Sequence, residues 1–447
     1  MCVLPPVGSE GVPVKEEVYR TFTRDLKRLR GWLVRCRVTE IVMESTGQYW
    51  RPVWNILEEA GFEKLLLVNP MFVKALAGRK TDRMDARWLA TRLEHGDLRG
   101  SFIPPREIRE LRELTRLRVH WLEDLNRIKN RIGQLCETGN IKVSSVASDL
   151  FGTTGRLLLA SLQKGDRDPG WMADYARGTL RNKKAQLELS LQGTLTPHQR
   201  SLLGRMLAQM SSLEQQLADL TAEIELRVVP YEDLLQRLDT IPGIDRITAW
   251  TLLAEIGTDM NVFGDARQLA SWAALCPGNR ESGGKRMSGK TRKGNRYVRR
   301  ALCQSAWAAS HKKDCHLAAL FRRIRSRRGE QKAIMAVAHQ LLTIVFHVVR
   351  DGVTYRELGA DHYDRQNKPK VARKLVDRLQ RLGYEVTLVE VALVQIPDPV
   401  ELQPLAPPRK RGRPCKCLER GIPCKHAAPN HSEIIAEPTQ PDPSALR

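Results

Sequence analysis

Glu44 closes the apolar run TEIVMES, and Asp82 and Asp85 follow in GRKTDRMDARWLA. Residues three apart on a helix share a face, so the two aspartates can address one site. Carboxylates at a strand end and on a helix face offer the hard oxygen ligands of a pair of Mg2+ ions, which in phosphodiester chemistry sit about 3.5–4 Å apart. Aspartates at a helix start also act as caps or complement the helix dipole, and spacing alone does not separate the two roles. A second reactive group lies in GNRESGGKRMSGKTRKGNRYVRRAL, where Ser282 and Ser288 sit among Lys285, Arg286, Lys290, Arg292, Lys293, Arg296, Arg299 and Arg300, interleaved with Gly283, Gly284, Gly289 and Gly294. A glycine-rich basic loop can lie flat on a phosphate backbone. A serine there either grips a phosphate or, with cations lowering its effective pKa and stabilising developing charge, attacks phosphorus.

Two further motifs carry ligand chemistry. In LDTIPGIDRITAWTLLAEIG, apolar residues flank Pro242-Gly243 in the pattern of a helix-hairpin-helix, whose glycine turn at Gly243 presents backbone N–H groups to a phosphate without reading sequence. In the tail PPRKRGRPCKCLERGIPCKH, Arg409 to Pro414 contains the Gly-Arg-Pro core of a minor-groove AT-hook, with Arg413 inside the core and Arg411 just before it. Cys415, Cys417, Cys424 and His426 then form one Cys3His set for Zn2+, with pairs closer together than the usual spacing; free thiols in an unstructured tail are the alternative.

Elements must hold these groups. The 447 residues, at roughly 100–200 per domain, argue for two or three domains. Lys plus Arg number 73 against 51 Asp plus Glu, so a net charge of +22 favours a polyanionic partner, most simply nucleic acid, while a hydrophobic fraction of 42% still supports a core. Residues 12–103 alternate between strand-like runs (VPVKEEVYRTF, TEIVMES, EKLLLVNP) and helix-like ones (RDLKRLRGWLVRC and residues 49–60), an α/β pattern. From Pro105 to Leu135 the spacing of Trp121, Leu125, Ile128, Ile132 and Leu135 predicts one long helix. A second opens at Thr196 and Pro197, where Leu203, Met206, Met210, Leu213, Leu217, Leu220 and Ile224 keep a three-four alternation, a seam for packing within the chain or for dimerisation. The expected organisation is an α/β domain over 1–104, a helical coiled-coil linker over 105–232, a mainly helical unit over 233–360, a small basic unit over 361–395 and a disordered tail over 396–447. The apolar stretch from Ala333 to Val349 is shorter than the roughly 20 residues that span a bilayer and is broken by His339, Gln340 and His347, so a buried helix is expected, with no membrane partner. No secretory signal is read at the N-terminus, and nine scattered cysteines suit free thiols in a reducing compartment, which places the chain in the cytoplasm, on the nucleoid when bound.

In order and wording these blocks resemble one family, the DEDD-type, Piv-like transposases of the insertion-sequence one-hundred-ten family. MESTGQYWRPVWNILEEAGF, LVNPMFVKALAGRKTDRMDARWLA, HGDLRGSFIPP, IPGIDRITAWTLLAEIG, FGDARQLASWAALCPGNRESGGKR and KGNRYVRRALCQSAWAAS carry the resemblance, which runs from about Val14 to Gly359. It implies a RuvC-like (ribonuclease-H-fold) domain, a helical linker and a C-terminal transposase domain that move an element by site-specific recombination, in many members guided by a structured RNA. It further implies that Glu44, Asp82 and Asp85 match three of four acidic Mg2+ ligands and that Ser282 matches the serine that forms a covalent link to DNA, with Ser288 as the fallback. Double-stranded DNA at element ends and target, and a homo-oligomer, dimer or tetramer, complete the implied partners. Family members open with a Gly-Ile-Asp strand that supplies the first acidic ligand. Here no Asp precedes Asp25, so a first strand is expected to be missing, either because translation starts upstream of Met1 or because the copy has decayed. The rival readings are a RuvC-like junction nuclease, in which the serine is idle, and a truncated non-catalytic DNA- or RNA-binding protein.

Overall fold

The computed structural model describes residues 1–5, 12–70, 81–166, 168–278, 280–288, 291 and 293–389, with the backbone alone for 280–282 and 285–288. Its compact unit is Met1–Glu385; of a second unit, Val386–Arg447, only residues 386–389 are described, without regular structure. The N-terminal region runs β1 (Cys2–Val3), β2 (Lys15–Glu16), α1 (Thr23–Arg35), β3 (Glu40–Glu44), α2 (Trp50–Glu58), β4 (Lys64–Val68) and α3 (Asp82–Glu94). β3 and β4 pair in parallel, Glu40 opposite Lys64 through Glu44 opposite Val68, with α2 as their crossover. α1 buries Leu26, Leu29, Trp32 and Leu33 with Ile41 and Leu57 in a small core. The α/β class is as expected, but the strands form separate two-stranded sheets, β1–β2 antiparallel and β3–β4 parallel, among the described residues. The strand read over VPVKEEVYRTF shrinks to Lys15–Glu16, and Val12, Val18 and Phe22 of that segment are exposed while Tyr19 packs on the small core.

α4 (Arg106–Thr138) and α9 (Pro197–Val228) are the two long helices. Thr196 and Gln199 form a reciprocal capping box at the start of α9, with Pro197 at its first position. Arg227 reaches Glu110 at 3.3 Å, Arg118 reaches Thr221 at 3.0 Å and Lys129 reaches Glu214 at 3.9 Å, so the two helices run antiparallel. The seam is used inside the chain: Leu203, Met210 and Leu217 enter one core with Ile128 and Ile132, while Leu220 and Ile224 enter another with Ile108 and Leu111. A dimer built on that seam is therefore corrected, since those side chains already have partners. The region between the long helices is not a plain linker. α5 (Val143–Val146), α6 (Thr153–Lys164), α7 (Pro169–Ala173) and α8 (Lys184–Ser190) pack Leu158, Leu159, Met172 and Leu187 against the α4–α9 pair.

The third core gathers α10 (Glu232–Asp239), α11 (Arg246–Ile256), α12 (Ala266–Trp272), α13 (Arg296–His311), α14 (His316–Arg328) and α15 (Glu330–Asp351), and a hairpin of β5 (Arg280–Ser282) and β6 (Lys285–Ser288) lies between α12 and α13 in the chain. At 22 residues α15 is longer than the apolar run suggested, and by length and composition it could cross a bilayer. Its Val337, Leu341, Leu342, Val345 and Phe346 are instead buried in this core, against α10, α12, α13 and α14. The basic unit contributes α16 (His362–Arg365) and α17 (Lys368–Arg381).

Candidate active site

Glu44 stands at the carboxyl end of β3, where Ser45 N–H donates to Val68 O at 2.8 Å and extends the pairing, and where Thr46 Oγ1 donates to Glu44 Oε1 at 2.6 Å. Thr81 caps α3, accepting from Met84 N–H at 3.3 Å, so Asp82 and Asp85 are left in the first turn rather than serving as the cap. α3 packs on β1 and β3, which puts the three carboxylates on neighbouring elements at the end of a parallel strand pair. The donor chemistry suits Mg2+, although the three carboxylates do not form a set whose ligand atoms all lie within 4.8 Å of one another. Among the described residues, the ligand atoms that approach within 4.8 Å of one another as a set of three belong to Cys315, His316 and Glu357. Asp25, on α1, is 8% exposed and lies beside Arg28 at 3.6 Å.

The glycine-rich segment is a β-hairpin, not a flat loop. Ser282 pairs with Lys285 and Glu281 with Arg286, and a bulge at Arg280 lets Ser288 sit opposite Arg280. Gly283 and Gly284 have φ of +57° and +75°, the two left-handed positions of a two-residue hairpin turn that glycine fills at least cost. The backbone thus sets Ser282 beside the turn and Ser288 at the opposite end. Lys290 and Arg292, like Arg411, Arg413, Cys415, Cys417, Cys424 and His426, lie outside the described residues. Lys293 is exposed, Arg296 lies 4.8 Å over the Tyr297 ring and donates to its hydroxyl at 2.8 Å, and Arg299 donates to Thr291 at 3.1 Å. Arg300 pairs with Glu123 on α4, so its charge is partly used in joining α13 to that helix.

A residue that sequence reading passed over anchors the start of α13. Glu255 is fully buried on α11 and receives Arg116 through two bonds, Nε to Oε1 at 2.7 Å and Nη2 to Oε2 at 2.8 Å. Asn295 Nδ2 donates to the same Oε2 at 2.6 Å, while Asn295 Oδ1 caps α13 by accepting from Tyr297 and Val298. Arg112 closes the α11 carboxyl end through Ala254 O and Glu255 O, at 2.9 and 2.8 Å; burial lowers its pKa to about 10, leaving it charged at neutral pH. One acid thereby ties α4, α11 and the start of α13 together. The legible signal was a lone glutamate inside the apolar run Trp250–Ile256.

Gly243 has φ +84°, and a Cβ there would meet Ser305 O at 2.2 Å. This turn needs glycine to approach the α13 backbone. Asp245 already occupies the amino end of α11, accepting from Thr248 N–H at 2.8 Å, and Arg246 is held by Glu225 and Glu232.

Cys315, His316 and Glu357 form a second polar cluster. Glu357 accepts from the His316 backbone N–H at 2.9 Å, Tyr355 O–H at 2.9 Å and Gly359 N–H at 3.2 Å, and its Oε1 lies 2.9 Å from His316 Nδ1. Burial alone would raise its pKa, but the His316 side chain and N–H, with Cys315 and Tyr355, hold it well below the usual carboxylate range. Its oxygens are already taken by donors, so the cluster reads as a lock between the start of α14 and residues 355–359. A carboxylate lowered in the folded state adds stability above its unfolded pKa, and that stability is lost as pH falls toward the folded value. The melting-temperature gap between wild type and Glu357→Gln is expected to be widest above about pH 5 and to narrow progressively below about pH 4, as read by thermal melts across pH. A gap that widens in acid would contradict this assignment.

Two family models match the chain: a transposase family designated DEDD_Tnp_IS110 over residues 7–138, and the "Transposase IS116/IS110/IS902 family" over residues 235–322. The chain is similar to the "Transposase for insertion sequence element IS1111A" of Coxiella burnetii, 24% identical over 348 residues that cover 75% of this chain and 85% of that protein. It is also similar to the "Insertion element IS110 uncharacterized 43.6 kDa protein" of Streptomyces coelicolor, 31% identical over 149 residues, 33% of this chain and 36% of that one.

Proposed function

The chain belongs to the IS110 family of transposases, and from that premise we propose that it cuts and rejoins double-stranded DNA at the ends of its element and at a target. In this reading the N-terminal domain is RuvC-like, and Glu44, Asp82 and Asp85 would hold a pair of Mg2+ ions that would supply charge stabilisation at a scissile phosphate. The observation that carries the reading is the placement of Ser282 beside the tip of a basic hairpin, within the segment matched by the second family model. Ser282 Oγ attacks phosphorus; the Ser–O–P bond forms as the P–O bond to the leaving strand breaks, and that strand's oxygen takes up the proton. Attack by the hydroxyl of another strand reverses the step and restores the serine. Arg286, Lys293 and Arg296, with Lys285, Lys290 and Arg292, neutralise the phosphates on either side. Exchange between two duplexes calls for a dimer or tetramer, assembled through a surface other than the α9 seam, and the surplus of positive charge suits a structured guide RNA as a further partner.

A second reading is binding without chemistry: Glu44, Asp82 and Asp85 do not form a set of three whose ligand atoms all lie within 4.8 Å of one another. The two readings separate when the full chain is incubated with labelled element-end duplexes. We expect strand breakage that requires Mg2+ and disappears in Glu44→Gln and Asp82→Asn, with duplex binding retained. Binding that ignores Mg2+, with no breakage under any condition, selects the second reading.

A further inference from the structure

An open groove of about 520 Å3 lies between α14 and the α16–α17 unit, and neither the acidic groups nor the hairpin serines line it. Arg322, Arg323 and Arg327 line it from α14, Lys374 and Leu375 from α17, and Tyr363 from α16. Its one acidic lining residue, Asp364, is paired with Arg323 at 3.8 Å, and Arg323 lies 5.9 Å over the Tyr363 ring. The walls are held from beneath. The Glu357 lock fixes the start of α14 to residues 355–359, and the His316 ring lies 6.4 Å from that of Tyr363. The groove is thus a built concavity with an excess of cations, an aromatic ring and apolar side chains, not a scatter of charges on one solvated helix. Its volume falls in the range of about 300–1,000 Å3 that encloses a small ligand, which is the scale of a nucleotide and not of a duplex.

We propose that this groove binds a single-stranded stretch of nucleic acid, its phosphates on Arg322, Arg327 and Lys374 and its sugars or bases against Tyr363 and Leu375. Cations that track the backbone beside an aromatic and apolar floor are the means by which single strands are held without sequence preference. The proposal rests on reading the chain as a nucleic-acid enzyme, and it adds a place for the strand that opens when a duplex is unpaired.

The test is fluorescence anisotropy of the full chain with a labelled oligothymidylate, its oligouridylate counterpart and a mixed-sequence duplex. The double variant Arg322→Ala/Lys374→Ala is expected to lose about tenfold in single-strand affinity, with the slope of log K against log salt smaller by about 1.4, two phosphates at about 0.7 each. Duplex affinity should change less than about twofold, because most of the basic surface is untouched. Lys374→Arg should retain single-strand binding. The DNA and RNA arms identify which strand the groove prefers. Equal losses for single strand and duplex, or no loss for either, would overturn the proposal. Circular dichroism melts matching wild type show that a loss is local. None of these readings depends on whether Ser282 reacts, so failure of the groove and failure of the recombinase reading are separable.

Discussion

Ser282→Ala is expected to abolish the covalent protein–DNA adduct and to reduce recombination by at least about 10^3-fold, as removal of a nucleophile does. Duplex binding should stay within about twofold and the salt dependence should not change, because serine carries no charge to exchange for counterions. Ser288→Ala, at the other end of the hairpin, should keep the adduct. A junction nuclease would behave differently, with Ser282→Ala still cutting through the acidic groups and leaving no trace of a serine intermediate in either protein. The assay is a denaturing gel of labelled nicked duplex after incubation with each variant.

The second large effect is on stability. Glu255→Ala leaves Arg112 and Arg116 partly buried without their carboxylate and frees Asn295, which caps α13. Removing one partner of a buried charge pair costs about 3–5 kcal/mol, against about 0–1 for an exposed pair. The side-chain exposure of Glu255 is 0%, which places it in the first class. Glu255→Gln keeps the shape and one acceptor and should cost less. Chemical denaturation monitored by tryptophan fluorescence reports this directly, since Trp250 lies on the same helix. A loss below about 1 kcal/mol for Glu255→Ala would mean that the arginines find other partners.

Much of the scaffold was legible because its signals are local. Thr196-Pro197 marked the start of α9, the three-four spacing marked its buried face, and the apolar runs before Glu44 and Asn69 became β3 and β4. Helices as short as α5 and α7 complete too few turns to show a period, so the region between α4 and α9 read as linker although it carries a core. The hairpin has a two-residue turn signal in Gly283-Gly284, but its strands are three and four residues long and carry lysine and arginine in place of an apolar alternation. Site residues could be named by type and motif, whereas their mutual distances depend on how α3 and β3 dock. The roles of Glu255 and Gly243 are tertiary in the same way: Glu255 acts through Arg116, 139 residues away, and Gly243 through the backbone of Ser305.

If Ser282 carries the DNA during strand exchange, tryptic cleavage makes the link directly measurable. Trypsin cutting after Arg280, Lys285, Arg286 and Lys290 separates Ser282, in the peptide Glu281–Lys285, from Ser288, in Met287–Lys290. After reaction with element-end DNA and nuclease digestion, mass spectrometry should find a nucleotide phosphate on the Glu281–Lys285 peptide and none on Met287–Lys290. A nucleotide on the second peptide, or strand cleavage with neither peptide modified, would contradict the account.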